Sequence, residues 1–239
     1  MRLLAAIRTD VLLQARNQLY AISVGTAVVV GGALAWLSPI ERLSGTVPMA
    51  LLAFVGGSTL LYVVAMIILE KDDGTLDAVS VSPLRPWEYL AAKVVTLTGL
   101  ATLEAGLICG GAFAFLSRSG PVPMPSPLIA LGVVALGVMH VLVGVVMVVR
   151  YTRLTEVLVP MSAVGTLMQL PAFYFVGATD HPAMLLIPTA APTMLIQGAF
   201  VGLEPWQWAY AVGGTTLALT VLGVWARRAF VTHIVRRAG

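Results

Sequence analysis

Uncharged, mostly apolar runs recur along the chain at about 18–37, 47–69, 94–116, 128–149, 157–176 and 206–226. Each is close to the roughly 20 residues that a helix needs to cross a bilayer core. Only the third holds an acid, Glu104. The pattern predicts an all-α membrane protein with six transmembrane helices, forming a single transmembrane domain over residues 1–239. Ahead of the first run, Leu3, Leu4, Ile7, Val11 and Ala15 recur at helical spacing. Arg2, Arg8, Arg16 and Asn17 fall mostly off that stripe, which predicts an interfacial helix over residues 1–17 leading into the first span. Arg8, Asp10 and Arg16 interrupt any signal-peptide core, and no small-residue cleavage site follows.

Residues 178–205 lie between the fifth and sixth runs and are also mostly apolar, but 183–188 and 191–201 are each too short to span. Pro182, Pro188 and Pro192 break them further. Such pieces predict a re-entrant outer hairpin before helix six.

Composition narrows the class. The chain is 59% hydrophobic and 10% charged, with a mean hydropathy of +0.94, where a soluble domain carries about 25% charged residues. That excludes a soluble enzyme, a disordered chain and a disulfide scaffold; the single cysteine, Cys109, lies in an apolar run and has no intrachain partner. The basic residues are sorted. Arg2, Arg8, Arg16, Lys71, Arg85, Lys93, Arg150, Arg153, Arg227, Arg228, Arg236 and Arg237 flank one side of the six spans, and only Arg42 and Arg118 flank the other. By the positive-inside bias, both termini are expected in the cytoplasm and the chain in the cell membrane, with lipid around it. The net charge of +3 therefore reads as orientation. No stretch interleaves basic and aromatic residues along a polar face, so no nucleic-acid partner is expected.

The segment 70–93 concentrates the remaining charge. Five of the 11 acids lie between Glu70 and Glu88, opening on the turn Asp72-Asp73-Gly74. Residues 75–82 can form about two helical turns with Leu76 and Val79 on one side, ending before Pro83, which disfavours the α region in its predecessor. Pro86 suits the first turn of the next helix, and Glu88 complements its positive end. A short, charged, rigid helix held between spans two and three is the expected result.

At this point the chain resembles the ABC-2 family of ABC-transporter permeases. The resemblance rests on an acidic cluster ending span two, then Gly74-Thr75-Leu76-Asp77, then Ser82-Pro83-Leu84, then Lys93 opening span three. Within that family, Ser82-Pro83-Leu84-Arg85 followed by Trp87-Glu88-Tyr89-Leu90-Ala91-Ala92-Lys93 is similar to actinobacterial permeases described as fluoroquinolone exporters. The resemblance implies that the segment is a coupling helix inserting into a separate ATP-hydrolysing subunit. It assigns that contact to Glu70, Asp72, Asp73, Gly74, Thr75, Leu76, Asp77, Val79, Pro83 and Leu84. It also implies a second permease chain, identical or related, and export of an amphiphilic small molecule, such as a drug.

No Gly-Lys pair occurs in the sequence, so a phosphate-cradling P-loop is lacking. The chain is accordingly not expected to be an enzyme; ATP and Mg would sit on the partner subunit, and this chain would bind no cofactor or metal. The competing reading is a stand-alone secondary transporter or channel-like protein.

Glu104 is costly at a helix centre and is expected to face the bundle interior or a wet path. It either lines the substrate pathway or bonds to a neighbouring helix. His140, mid-span, reads as a neutral histidine bonded between helices, with a pair to Glu104 as the alternative. Gln169, Phe173 and Tyr174 in span five are candidate substrate contacts, with a kink expected at Pro171. The pairs Gly31-Gly32, Gly56-Gly57, Gly110-Gly111 and Gly213-Gly214 read as close helix packing. Gly57-Ser58 with His140 makes a poor serine protease, because nothing else supports the pair. Asp73 and Asp77 lack the second acidic motif that a Mg-diphosphate site needs.

Overall fold

The computed structural model describes residues 2–75, 85–118, 120–122 and 126–235, with backbone alone for 234–235. Six helices, some interrupted, are long and apolar enough to cross a membrane. Among the described residues there are no strands.

Helix α1 (Arg2–Arg16) meets α2 (Leu19–Leu37) at Gln18, whose φ of 60° is unusual for a non-glycine residue and breaks the helical path. Asn17 donates from its amide to the Leu13 carbonyl at 3.0 Å and ends α1. Span two runs Ile40–Asp72. It comprises α3 (Leu43–Ala50), a π-helical turn at Leu51–Val55, and α4 (Gly56–Asp72). The span starts earlier than the apolar run suggested, because Gly45 lets the first turns pass the carbonyl of Phe175 (a β-carbon there would stand 2.5 Å from that oxygen).

Helix α5 (Pro86–Leu116) has 31 residues and, at about 1.5 Å each, outruns a hydrocarbon core. Its start is as expected: Pro86 opens it, and Glu88 accepts the Arg85 amide at 2.7 Å. Helix α6 (Pro127–Val148) is capped by the Ser126 hydroxyl. Span five divides into α7 (Leu154–Gln169) and α8 (Pro171–Phe175), with the kink at the expected proline. A 3₁₀ turn (Pro182–Leu186) and α9 (Ala190–Gln197) follow; neither is long enough to cross. Helix α10 (Pro205–Phe230) closes the bundle.

Helix α6 is the most enclosed of the six spans, and the windows of spans five and six are the most open. Close packing at α6 depends on missing β-carbons, as expected where no hydrophobic drive separates helix from lipid. One at Gly144 would stand 2.8 Å from Val63, and one at Gly132 would stand 2.5 Å from Ile196 of α9. Of the glycine pairs, Gly31, Gly56, Gly57 and Gly214 make close approaches, whereas Gly32, Gly110, Gly111 and Gly213 face open space. In Gly31-Gly32 and Gly213-Gly214 one residue points outward; Gly56 and Gly57 face different neighbours, His140 and Gln169.

Helix α1 turns apolar residues outward. Leu4 and Leu12, 70% and 60% exposed, and Val11 point away from the bundle, while Asp10 and Gln14 are buried against α5. The helix docks through polar residues four apart, and its apolar stripe is left for lipid.

Candidate functional site

The chain's most polar buried cluster lies where the 70–93 segment is rooted. Helix α4 ends at Asp73 and Gly74, whose φ of 66° is the left-handed conformation of a helix C-terminal glycine. Asp72, Asp73, Gly74 and Thr75 are exposed. One turn back, Glu70 is buried; its Oε1 lies 2.5 Å from Lys93 Nζ, and its Oε2 accepts the Tyr89 hydroxyl at 2.5 Å. The Lys93 ammonium, 1% exposed, also pairs with Asp10 of α1. Thr96 donates its hydroxyl to Asp10, as does the Gln14 amide at 3.2 Å. Two carboxylates thus share one ammonium, with hydroxyls and an amide satisfying the remaining lone pairs, which is the condition under which buried ion pairs persist.

The Tyr89 ring stacks on Phe230 at 5.0 Å between centroids, tying the end of α10 to the same place. Ala6, Leu13, Ala92 and the charged residues enclose a cavity of about 190 Å³ there. Lys71 turns the other way. Its ammonium donates to the carbonyls of Val148 at 2.9 Å and Tyr151 at 2.6 Å, capping the negative end of α6. Leu76, Asp77, Val79, Pro83 and Leu84 lie outside the described residues.

A second polar group sits mid-span. Glu104 is fully enclosed; its carboxylate accepts from the Ser58 hydroxyl at 3.0 and 3.1 Å and from the Ser23 hydroxyl at 3.2 Å, with Ser23 also 3.1 Å from the Tyr62 hydroxyl. It cross-links α2, α4 and α5. His140 does not pair with it and does not bond between helices. Its Nδ1 lies 2.8 Å from the Leu136 carbonyl of its own helix, and its ring fills the space over Gly56.

Gln169 and Phe173 are brought together. Gln169 donates to the Ala53 carbonyl in the π turn at 3.1 Å, a place where the widened turn leaves backbone groups needing partners. With Met49 and Thr166 they line a groove of about 370 Å³, and Phe173 is 54% exposed. Tyr174 stands apart from that groove, edge-on to Phe175 and packed against the buried cluster of Phe175, Ala190, Met194, Leu195 and Ala211.

Sequence reasoning missed Asp10, Gln14 and Thr96, and the serines around Glu104. The available signal was the spacing of Asp10 and Gln14, which places two polar side chains on one face of a helix otherwise free to submerge apolar ones.

The profile of the Fluoroquinolones export permease protein family matches residues 1–238. The fluoroquinolones export permease proteins of two Mycobacterium tuberculosis strains, CDC 1551 / Oshkosh and ATCC 25618 / H37Rv, are each 27% identical over 250 residues, covering 100% of this chain and 98% of theirs. Six spans, an export-permease profile over nearly the whole length and full-length relatives together make this a multi-pass membrane protein of the fluoroquinolone export permease family.

Proposed function

We propose that this chain is the membrane subunit of an ATP-driven ABC-2-type exporter that moves an amphiphilic small molecule, such as a fluoroquinolone, out of the cell. The observation that carries the reading is the contrast at the end of span two. The acidic tip Asp72, Asp73, Gly74 and Thr75 is exposed, whereas its root Glu70 is locked to Lys93 and Tyr89. A tip free to meet another protein on a root that cannot swivel is what a lever needs, and such rigid elements carry motion between sites. The basic residues that flank this end of the bundle face the cytoplasm, and so do both termini. Residues 178–205 lie at the opposite, outer end. The nucleotide site is on a separate ATPase subunit, which holds ATP and Mg, since the sequence has no Gly-Lys pair for a P-loop.

Two permease chains, identical or related, complete the pathway. The Gln169–Phe173 groove is the surface offered to substrate: apolar walls, one aromatic ring and one amide suit an amphiphile. Efflux of a fluorescent fluoroquinolone from cells co-expressing this chain and an ABC ATPase that co-purifies with it tests the reading. Efflux is expected to stop when the P-loop lysine of that ATPase is replaced. Efflux that persists without a competent ATPase would favour a stand-alone transporter.

A further inference from the structure

The ion cluster reaches beyond the segment it roots. Asp10 belongs to α1, which continues into α2 at Gln18 and whose Leu13 packs against the core of the spans. Its carboxylate is buried and is held by Lys93, Thr96 and Gln14, while Lys93 simultaneously holds Glu70. A single ammonium therefore bridges α1, the end of α4 and the start of α5. The two helix ends it joins flank the 70–93 segment on both sides.

We infer that Asp10 is a positioning residue for transport: through Lys93 it makes α1 move as one body with the roots of the coupling segment. The inference rests on the reading of residues 70–93 as the coupling segment and adds a moving part to it. Two features support a linkage over mere packing. The docking face of α1 is polar at its centre, where an apolar residue would hold the helix by burial alone, and a polar contact specifies one register. The opposite face carries Leu4, Val11 and Leu12 toward lipid, so a shift of α1 displaces bilayer as well as protein.

The chemistry also supplies a clean variant. Asp10→Ala leaves Lys93 and Glu70 as a one-to-one pair, so no unpaired charge is buried; it cuts the link to α1 and also takes an acceptor from Thr96 and Gln14. Asp10→Asn restores it in kind. Its amide oxygen accepts from Lys93, and its NH₂ can donate to Gln14 Oε1, which is buried without a hydrogen-bond partner.

Both variants are compared with the unaltered chain in the full complex, at matched membrane abundance, for drug efflux and for backbone hydrogen exchange. Asp10→Ala is expected to lower efflux about tenfold, a coupling of ordinary size, and to speed amide exchange across α1 while α4 and α5 keep theirs. Asp10→Asn is expected to recover most of both. Efflux unchanged in Asp10→Ala would overturn the inference, as would a loss of efflux fully accounted for by lost abundance. So would unchanged exchange in α1. The exchange measurement needs no ATPase, so it judges the linkage even if efflux by the unaltered chain proves independent of ATP, a result that would defeat only the proposed function.

Discussion

Glu70 and Lys71 are neighbours in sequence, and their charged ends leave span two in different directions. Glu70 meets Lys93 at 2.5 Å, whereas Lys71 meets the Tyr151 carbonyl at 2.6 Å beyond the end of α6. Adjacent helical residues are about 100° apart around the axis, so one dipeptide holds two different neighbours. The last turn before the exposed acidic tip is thereby fixed against rotation from two sides.

Lys93→Met removes the shared cation and leaves Asp10 and Glu70 as facing buried carboxylates. Breaking a buried pair from one side costs about 3–5 kcal/mol, so a marked fall in the thermal midpoint of the detergent-solubilised protein is expected. Adding Asp10→Asn and Glu70→Gln to Lys93→Met should recover most of that loss. Without recovery, the cost would lie in packing and not in charge.

Lys71→Met removes the cap from the α6 carbonyls. The expected loss is smaller, about 1–2 kcal/mol, as for charge-assisted bonds at a helix C-terminus. Lys71→Arg should retain most of it. Equal stability of the Met and unaltered proteins in urea titration would show that the cap contributes nothing.

Gly132→Ala should displace α9, because the added carbon would lie 2.5 Å from Ile196 and 2.8 Å from the Pro192 carbonyl. Overpacking of this kind costs about 1–3 kcal/mol. Gly32→Ala, which meets nothing within 4 Å, is the control and should be neutral. Equal thermal midpoints for the two variants would contradict the packing described for α9.

Glu104→Gln should preserve abundance, since an amide oxygen can still accept from Ser23 and Ser58. Glu104→Leu removes the shared acceptor, leaving Ser58 the Val55 carbonyl and Ser23 the Tyr62 hydroxyl, and should cost about 1–3 kcal/mol through the lost charge-assisted bonds. Efflux by the Gln variant is expected to stay within about twofold of the unaltered chain, because such a substitution spares the cross-link among α2, α4 and α5. A tenfold loss of efflux at unchanged abundance would place the carboxylate on the substrate path.

The six spans were legible because each apolar run is long and nearly free of charge, and the proline signals at Pro86 and Pro171 marked a start and a kink correctly. Boundaries were less legible where a helix leaves the apolar region without stopping. Span two begins at Ile40, before its apolar run, where Gly45 lets the first turns pass the Phe175 carbonyl, an approach that no local pattern reveals. The docking face of α1 was illegible for a related reason. Periodicity finds an apolar face but does not say whether lipid or protein covers it, and here the protein took Asp10 and Gln14. Glu70 was singled out as a contact to another subunit, and its carboxylate is engaged inside the chain. Among the described residues that follow it, Asp72, Asp73, Gly74 and Thr75 are exposed.

The central claim is that residues 70–93 transmit the work of a separate ATPase to the spans. Replacing residues 74–77 with a Gly-Ser linker in the purified complex, then measuring ATP hydrolysis and drug transport in proteoliposomes, tests it most directly. The account predicts continued hydrolysis with transport reduced at least about tenfold, as expected when a coupling between sites is lost. Transport undiminished at an unchanged rate of hydrolysis would contradict it.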